Sequence, residues 1–158
     1  MASGFWYLKD GRGFARPWAW MTDMLEEILT ELKLDKEATA FAEYLNRYIP
    51  TEEHEYNGHG GFFHKETEAS TMLWIDFREF TPRNQELFWK AAQKRVGKLI
   101  AENKASPDEY REYMIFLLTQ LLDMNKRAGK GEDPMKLNHM TIITPPTGIK
   151  SGPGWQES

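Results

Sequence analysis

Ser106-Pro107-Asp108-Glu109-Tyr110-Arg111-Glu112-Tyr113-Met114-Ile115-Phe116-Leu117-Leu118-Thr119-Gln120-Leu121-Leu122-Asp123-Met124 is the stretch whose reading decides the fold class. A serine followed three residues later by a glutamate has capping-box spacing, in which each side chain satisfies a backbone N–H left open by the first helical turn. Pro107 then lacks only an N–H that the first helical position does not use. Behind it Tyr110, Tyr113, Met114, Leu117, Leu118, Leu121, Leu122 and Met124 recur at spacings of three and four, and cover about half the circumference of an α-helix or more. So wide an apolar surface predicts a helix over 107–128, central in the core, the most buried of the chain, and ending near Gly129.

Upstream, Thr81-Pro82 places a cap residue before a proline and predicts a helix over 82–103, with Phe88, Ala92, Val96 and Leu99 on its apolar face. Before it, Thr71-Met72-Leu73-Trp74-Ile75-Asp76-Phe77 packs too many β-branched and aromatic residues into too short a run for a surface helix, and reads as a buried strand. Asp23 and Glu26 again have capping-box spacing, ahead of Met24, Leu25, Ile28, Leu29 and Leu32, which share about 140° of arc. A helix over 23–34 follows, and Asp35 caps a second over 36–49 that Pro50 ends. At the start, Phe5-Trp6-Tyr7-Leu8 and Phe14-Ala15-Arg16 flank a Lys9-Asp10-Gly11-Arg12-Gly13 turn, which is hairpin chemistry, and Pro17 stops the return strand. At the far end Gly131-Glu132-Asp133-Pro134 is a loop and Met140-Thr141-Ile142-Ile143 a late strand. The prolines and glycines from Pro145 to Gly154 then exclude regular structure. The reading is an α+β, predominantly helical protein, with about four helices packed with a small β-sheet or hairpins. It comprises one globular domain over 1–144 and a Pro/Gly-rich tail over 145–158.

Composition narrows the function classes. A chain of 158 residues is long enough for one core that buries about two thirds of its unfolded surface. With 41% hydrophobic and 13% aromatic residues it is not a disordered chain. Its 28% charge and mean hydropathy of -0.64 argue against a membrane protein, and no run approaches the roughly 20 apolar residues that span a bilayer. Lys9 and Asp10 interrupt the opening before a signal-peptide core forms. The absence of cysteine excludes disulfides, thiolate metal sites and cysteine nucleophiles, and fits a reducing compartment, so the expected location is cytoplasmic.

Charge and histidine concentrate together. Between Thr51 and Ser70 five acids stand against Lys65, so this stretch carries the whole formal net charge of -4. An acidic surface of this kind repels nucleic acid and attracts basic protein. His54, His59 and His64 lie in the same stretch with Glu55, and imidazole with carboxylate is a competent zinc or iron donor set. The spacing opposes it: residues five and ten apart do not line one helical face, and on a strand His59 points away from the other two. Neither a metal nor a cofactor is therefore expected. His59 or His139 with Asp76 or Glu79 would suit acid-base catalysis, but no nucleophile elbow, phosphate loop or dinucleotide fingerprint accompanies them. Lys90, Lys94 and Lys98 form a basic stripe, which without aromatics on the same face reads as solvated surface rather than a nucleic-acid site. Trp18 and Trp20, beside Phe14, read as lids on the core, with an exposed anchor patch as the alternative.

Gly4-Phe5-Trp6-Tyr7-Leu8-Lys9-Asp10-Gly11-Arg12, running through Phe14-Ala15-Arg16 and Trp18 into an amphipathic helix, resembles the start of some small bacterial immunity proteins, the cytosolic antidotes to polymorphic or contact-dependent toxins. The resemblance covers about the first thirty residues and implies a protein that binds one toxin and blocks its active site. It supplies no contact residues. Those follow from the acidic segment, where Glu52, Glu53, His54, Glu55, Tyr56 and His59 combine phosphate-like charge with an aromatic anchor. The expectation is a protein-binding module that occludes a basic toxin domain. The alternative is a small metal-dependent enzyme using His54, His59 and His64, and a structural or regulatory subunit is a third reading.

Overall fold

Trp6 stands at the centre of the molecule, fully buried, with Phe14 opposite it on one neighbouring strand and Ile75 on the other. In a computed structural model of the chain, residues 3–8, 13–49 and 74–130 are described. Strand β1 (Ser3–Tyr7) pairs antiparallel with β2 (Gly13–Pro17) and parallel with β3 (Trp74–Asp76), giving the strand order β2-β1-β3. β2 and β3 lie on opposite sides of β1, so no tight hairpin can join them, and the chain between them carries helices. These are α1 (Trp18–Leu32) and, after a 3-10 turn at Lys36–Ala38, α2 (Thr39–Asn46). A second 3-10 turn (Phe77–Glu79) leads into α3 (Pro82–Ala105) and then α4 (Glu109–Gly129). The protein is predominantly helical, and among the described residues no helix is long and apolar enough to cross a membrane.

Local chemistry explains most of the boundaries. The Thr81 hydroxyl accepts from the Asn84 amide at 3.1 Å with Pro82 just inside the helix, so α3 begins where its cap predicts. Asp35 likewise accepts from the Glu37 amide at 2.9 Å, although the element it caps is the 3-10 turn before α2. Asp76 ends the strand early: its side chain accepts from the Arg78 amide at 2.9 Å, which bends Phe77 into a turn instead of prolonging β3.

Three expectations need correction. Helix α1 starts at Trp18, not at Asp23, because Pro17 holds the cap position with φ -49° and the first turn buries Met21 and Thr22 against the core; Asp23 is mid-helix. The α4 cap is Asp108 rather than Ser106. The Asp108 carbonyl accepts from the Glu112 amide at 3.0 Å, while Ser106 closes α3 through its amide to the Glu102 carbonyl. Third, α4 is not the central helix. α1 packs on β1, β2, α2, α3 and α4, whereas α4 lies mainly against α3, with a smaller contact to α1. The cores of both are dry: Met24, Leu25, Ile28, Leu117, Leu118 and Leu121 have no solvent exposure.

An aromatic chain links sheet to helices. Trp6 meets Phe88 of α3 edge-on at 5.8 Å, Phe77 meets Phe88 at 4.8 Å, and Phe77, Phe80 and Phe41 continue the contact to α2. Such pairs add about 0.5–1.5 kcal/mol each beyond their burial, which locks the 3-10 turn between the layers. Segment 50–73, the strand expected at 140–143 and the tail expected at 145–158 lie outside the described residues.

Candidate functional site

Glu52, Glu53, His54, Glu55, Tyr56, His59 and His64 all lie outside the described residues, as does His139. Of the acid-base partners named above, Asp76 has a different occupation. Its carboxylate is 2% exposed and takes both Nε and Nη2 of Arg78, at 2.9 and 2.7 Å, together with the Arg78 amide. A carboxylate with these bonds is held as an acceptor that caps a turn. Among the described residues no group of three or more His, Cys, Asp or Glu side chains is placed to hold a metal ion.

A different surface is assembled where α1 meets α4. Arg16 bonds Gln120 at 2.8 Å, Trp20 meets Tyr113 at 4.6 Å, and Tyr110 donates to Glu27 at 3.2 Å, so the two helices run antiparallel along one seam. Trp20 stands edge-on against Tyr113 and is 39% exposed; Phe116, 6.3 Å from Tyr113, is 54% exposed, and Tyr110 is 45% exposed. Trp20 therefore joins an outward aromatic row rather than lying as a lid on the core. The Trp18 side chain lies outside what the structure describes.

Carboxylates crowd one end of this row. Asp23 and Glu27 are one turn apart on α1, with Glu26 beside them. Burial, and then the Glu27 charge, raises the Asp23 carboxyl above its ordinary range. Burial followed by Asp23 and Glu27 does the same for Glu26, against the opposing pull of Lys33. The Tyr110 phenol is pushed upward by burial and by Glu27, Asp23 and Glu26. Only part of this charge is matched. Arg95 of α3 donates Nε to Glu27 at 2.8 Å, with both side chains mostly buried.

The next turn of the seam is Glu31, whose side chain is 5% exposed and pairs with Lys98 at 2.7 Å through one oxygen. Its other oxygen has no hydrogen-bond partner among the described residues. One member of the α3 lysine stripe is thus an ion-pair partner of α1, while Lys90 and Lys94 remain exposed.

Compared with protein-family models, curated proteins and solved structures, the chain matches none. The sequence did carry a signal for part of the aromatic row. A stripe of half a helix or more is more than one seam can bury, and its surplus on α4 is Tyr110, whereas Phe116 lies outside that stripe and carried no such signal.

Proposed function

We propose that this chain is a protein-binding module that sets the Trp20, Tyr113 and Phe116 row against a basic surface of another protein, and acts by occlusion rather than chemistry. The observation that carries the reading is the exposed Trp20 held edge-on by Tyr113, with Phe116 alongside. Rigid aromatics lose little side-chain entropy on binding and dominate interface energies when they enter a partner's pocket. Asp23 and Glu26 supply the charge argument: beyond burial, each is raised by the Glu27 charge, a repulsion that a lysine or arginine brought alongside relieves, so a basic partner gains where an acidic one is rejected.

The partner class comes from the resemblance of residues 4–18 to bacterial immunity proteins. On that reading the partner is a cognate toxin met in the bacterial cytoplasm, and the acidic segment from Thr51 to His64 supplies further charge that favours a basic partner. The test begins with the partner captured on the intact chain, identified and titrated by calorimetry. Trp20→Ala with Phe116→Ala is expected to weaken binding about 100-fold or more without altering the melting curve much, the size of two interface hot spots. Reversing Glu52, Glu53 and Glu55 to lysine is expected to slow association at low salt. Undiminished affinity in the aromatic double variant removes this face, and an acidic binding surface on the partner defeats the charge argument.

A further inference from the structure

The solvent side of α4 carries a second periodic seam, opposite the one that packs into the core. Glu112, Ile115, Thr119, Leu122 and Lys126 follow one another at alternating spacings of three and four, the interval at which one helix meets another along a stripe. Glu112, Thr119 and Lys126 are exposed, and Ile115 and Leu122 lie partly buried on one shoulder. On the other shoulder stands the exposed Phe116. Beside its ring is a hollow of about 580 Å³, whose lining among the described residues is Glu112, Ile115, Phe116, Thr119, Gln120 and Asp123.

The charges along this seam are ordered. Asp108, Glu109 and Glu112 stand at its start, and Lys126, Arg127 and Lys130 at its end. Among the described residues neither Glu112 nor Lys126 has an ion-pair partner. Acids in the first turn and cations in the last suit the helix dipole, but the dipole does not call for the exposed ring and hollow between them. A second copy laid parallel would set like charge against like at both ends. An antiparallel copy crossing at Thr119 sets Glu112 of each chain against Lys126 of the other, and Asp108 against Lys130, with the two ion pairs about 21 Å apart along the axis at about 1.5 Å per residue. Phe116 then falls between Thr119 and Asp123 of the other chain, within its hollow, and the exchange is reciprocal, as a two-fold axis requires.

We propose that two copies of this chain associate through α4, antiparallel and centred on Thr119, each placing Phe116 in the hollow of the other. Burial of Phe116, Ile115 and Leu122 supplies the attraction, while the charges at the ends choose the orientation more than they add affinity. One helix against one helix is a contact at the low end of specific interface sizes, so the dimer is weak and forms only above micromolar concentration. Phe116 also belongs to the row offered to another protein, so a second copy and that partner compete for it; the self-association itself does not rest on that reading.

Sedimentation equilibrium of the whole protein, from micromolar to millimolar concentration, is expected to show a reversible equilibrium between monomer and dimer. Phe116→Ala should weaken the dimer about 10-fold or more, since the ring enters the contact twice, and a circular dichroism melt checks that the variant is folded. Glu112→Lys alone and Lys126→Glu alone should each weaken it about 10-fold or more, because each sets like charges face to face. Combining the two exchanges in one chain should restore association to within about 3-fold of the original. The two single variants, mixed, should pair with each other more readily than either pairs with itself. A protein that stays monomeric at millimolar concentration, a dimer indifferent to Phe116→Ala, or charge reversals that have no effect or are not rescued by the double exchange would overturn the proposal.

Discussion

Helices α1 and α4 have much the same apolar periodicity, yet α1 is enclosed beyond its first turn, where Trp20 stands outward, whereas α4 leaves Tyr110 and Phe116 in solvent along its length. α1 has the sheet on one side and α2, α3 and α4 around it, so Met21, Met24, Leu25, Ile28 and Leu32 are all closed off. α4 packs mainly on α3, which covers Met114, Leu117, Leu118 and Leu121 but not Phe116 or Tyr110. The number of apolar positions on a helix therefore does not rank its burial. What ranks it is how many elements surround it, and an apolar surplus on a peripheral helix becomes surface available to a partner.

The largest expected effects test the buried half of this comparison. Leu25→Ala in α1 and Leu118→Ala in α4 should each cost about 2–5 kcal/mol in urea unfolding, because both open cavities in close-packed surroundings. A cost below about 0.5 kcal/mol at Leu118 would place it on the surface and break the assignment of α4.

Lys98→Ala comes next, at about 1–2 kcal/mol, since it leaves the Glu31 carboxylate enclosed without its cation; Lys98 is half exposed, which keeps the effect below that of a fully buried pair. Lys94→Ala on the same stripe should change stability by less than about 0.5 kcal/mol. Equal costs for the two lysines would mean that the α1–α3 ion pair contributes nothing.

Phe116→Ser sharpens the comparison from the other side. Despite removing a large ring it should alter stability by no more than about 0.5 kcal/mol, as for other substitutions at open positions. A loss of several kcal/mol would show that the ring is covered in solution.

The smallest effect is a pH dependence. Asp23 and Glu26 have folded-state values above their ordinary ones, so the folded chain holds protons more tightly than the unfolded chain. Their destabilising contribution is absent below the unfolded values, develops as pH rises through the raised ones, and is complete above them. Asp23→Asn with Glu26→Gln should therefore stabilise the protein at neutral pH by no more than about 0.5 kcal/mol, with the gain vanishing in acid. Chemical melts at pH 7 and pH 3.5 measure it, and a gain that grows in acid would reverse the sign.

Much of the helical layout was legible because its signals are local. Thr81-Pro82 marked the start of α3, and the periods along α1 and α3 marked the faces they bury, since capping and helical geometry act within a few residues. Ser106 and Asp23 misled for the same reason. A capping-box spacing states that a side chain can close a helix, but Asp108 competed successfully for the first position, and burial of Met21 and Thr22 extended the other helix past the second. The expected contact residues from Glu52 to His59 belong to the segment outside the described residues, so their reading rests on charge and composition alone.

By itself the sequence determined a predominantly helical α+β chain, the extents of α3 and the body of α4, the apolar faces, and the concentration of charge and histidine between Thr51 and Ser70. Only the tertiary structure decided that α1 is the hub and that β3 joins β1 in parallel. It also decided that Glu27 and Glu31 meet Arg95 and Lys98, and that the exposed Trp20 and Phe116 stand on either side of the partly buried Tyr113. These pairings join residues far apart in the chain, and which of several apolar faces is left uncovered depends on how all the elements compete for the same core.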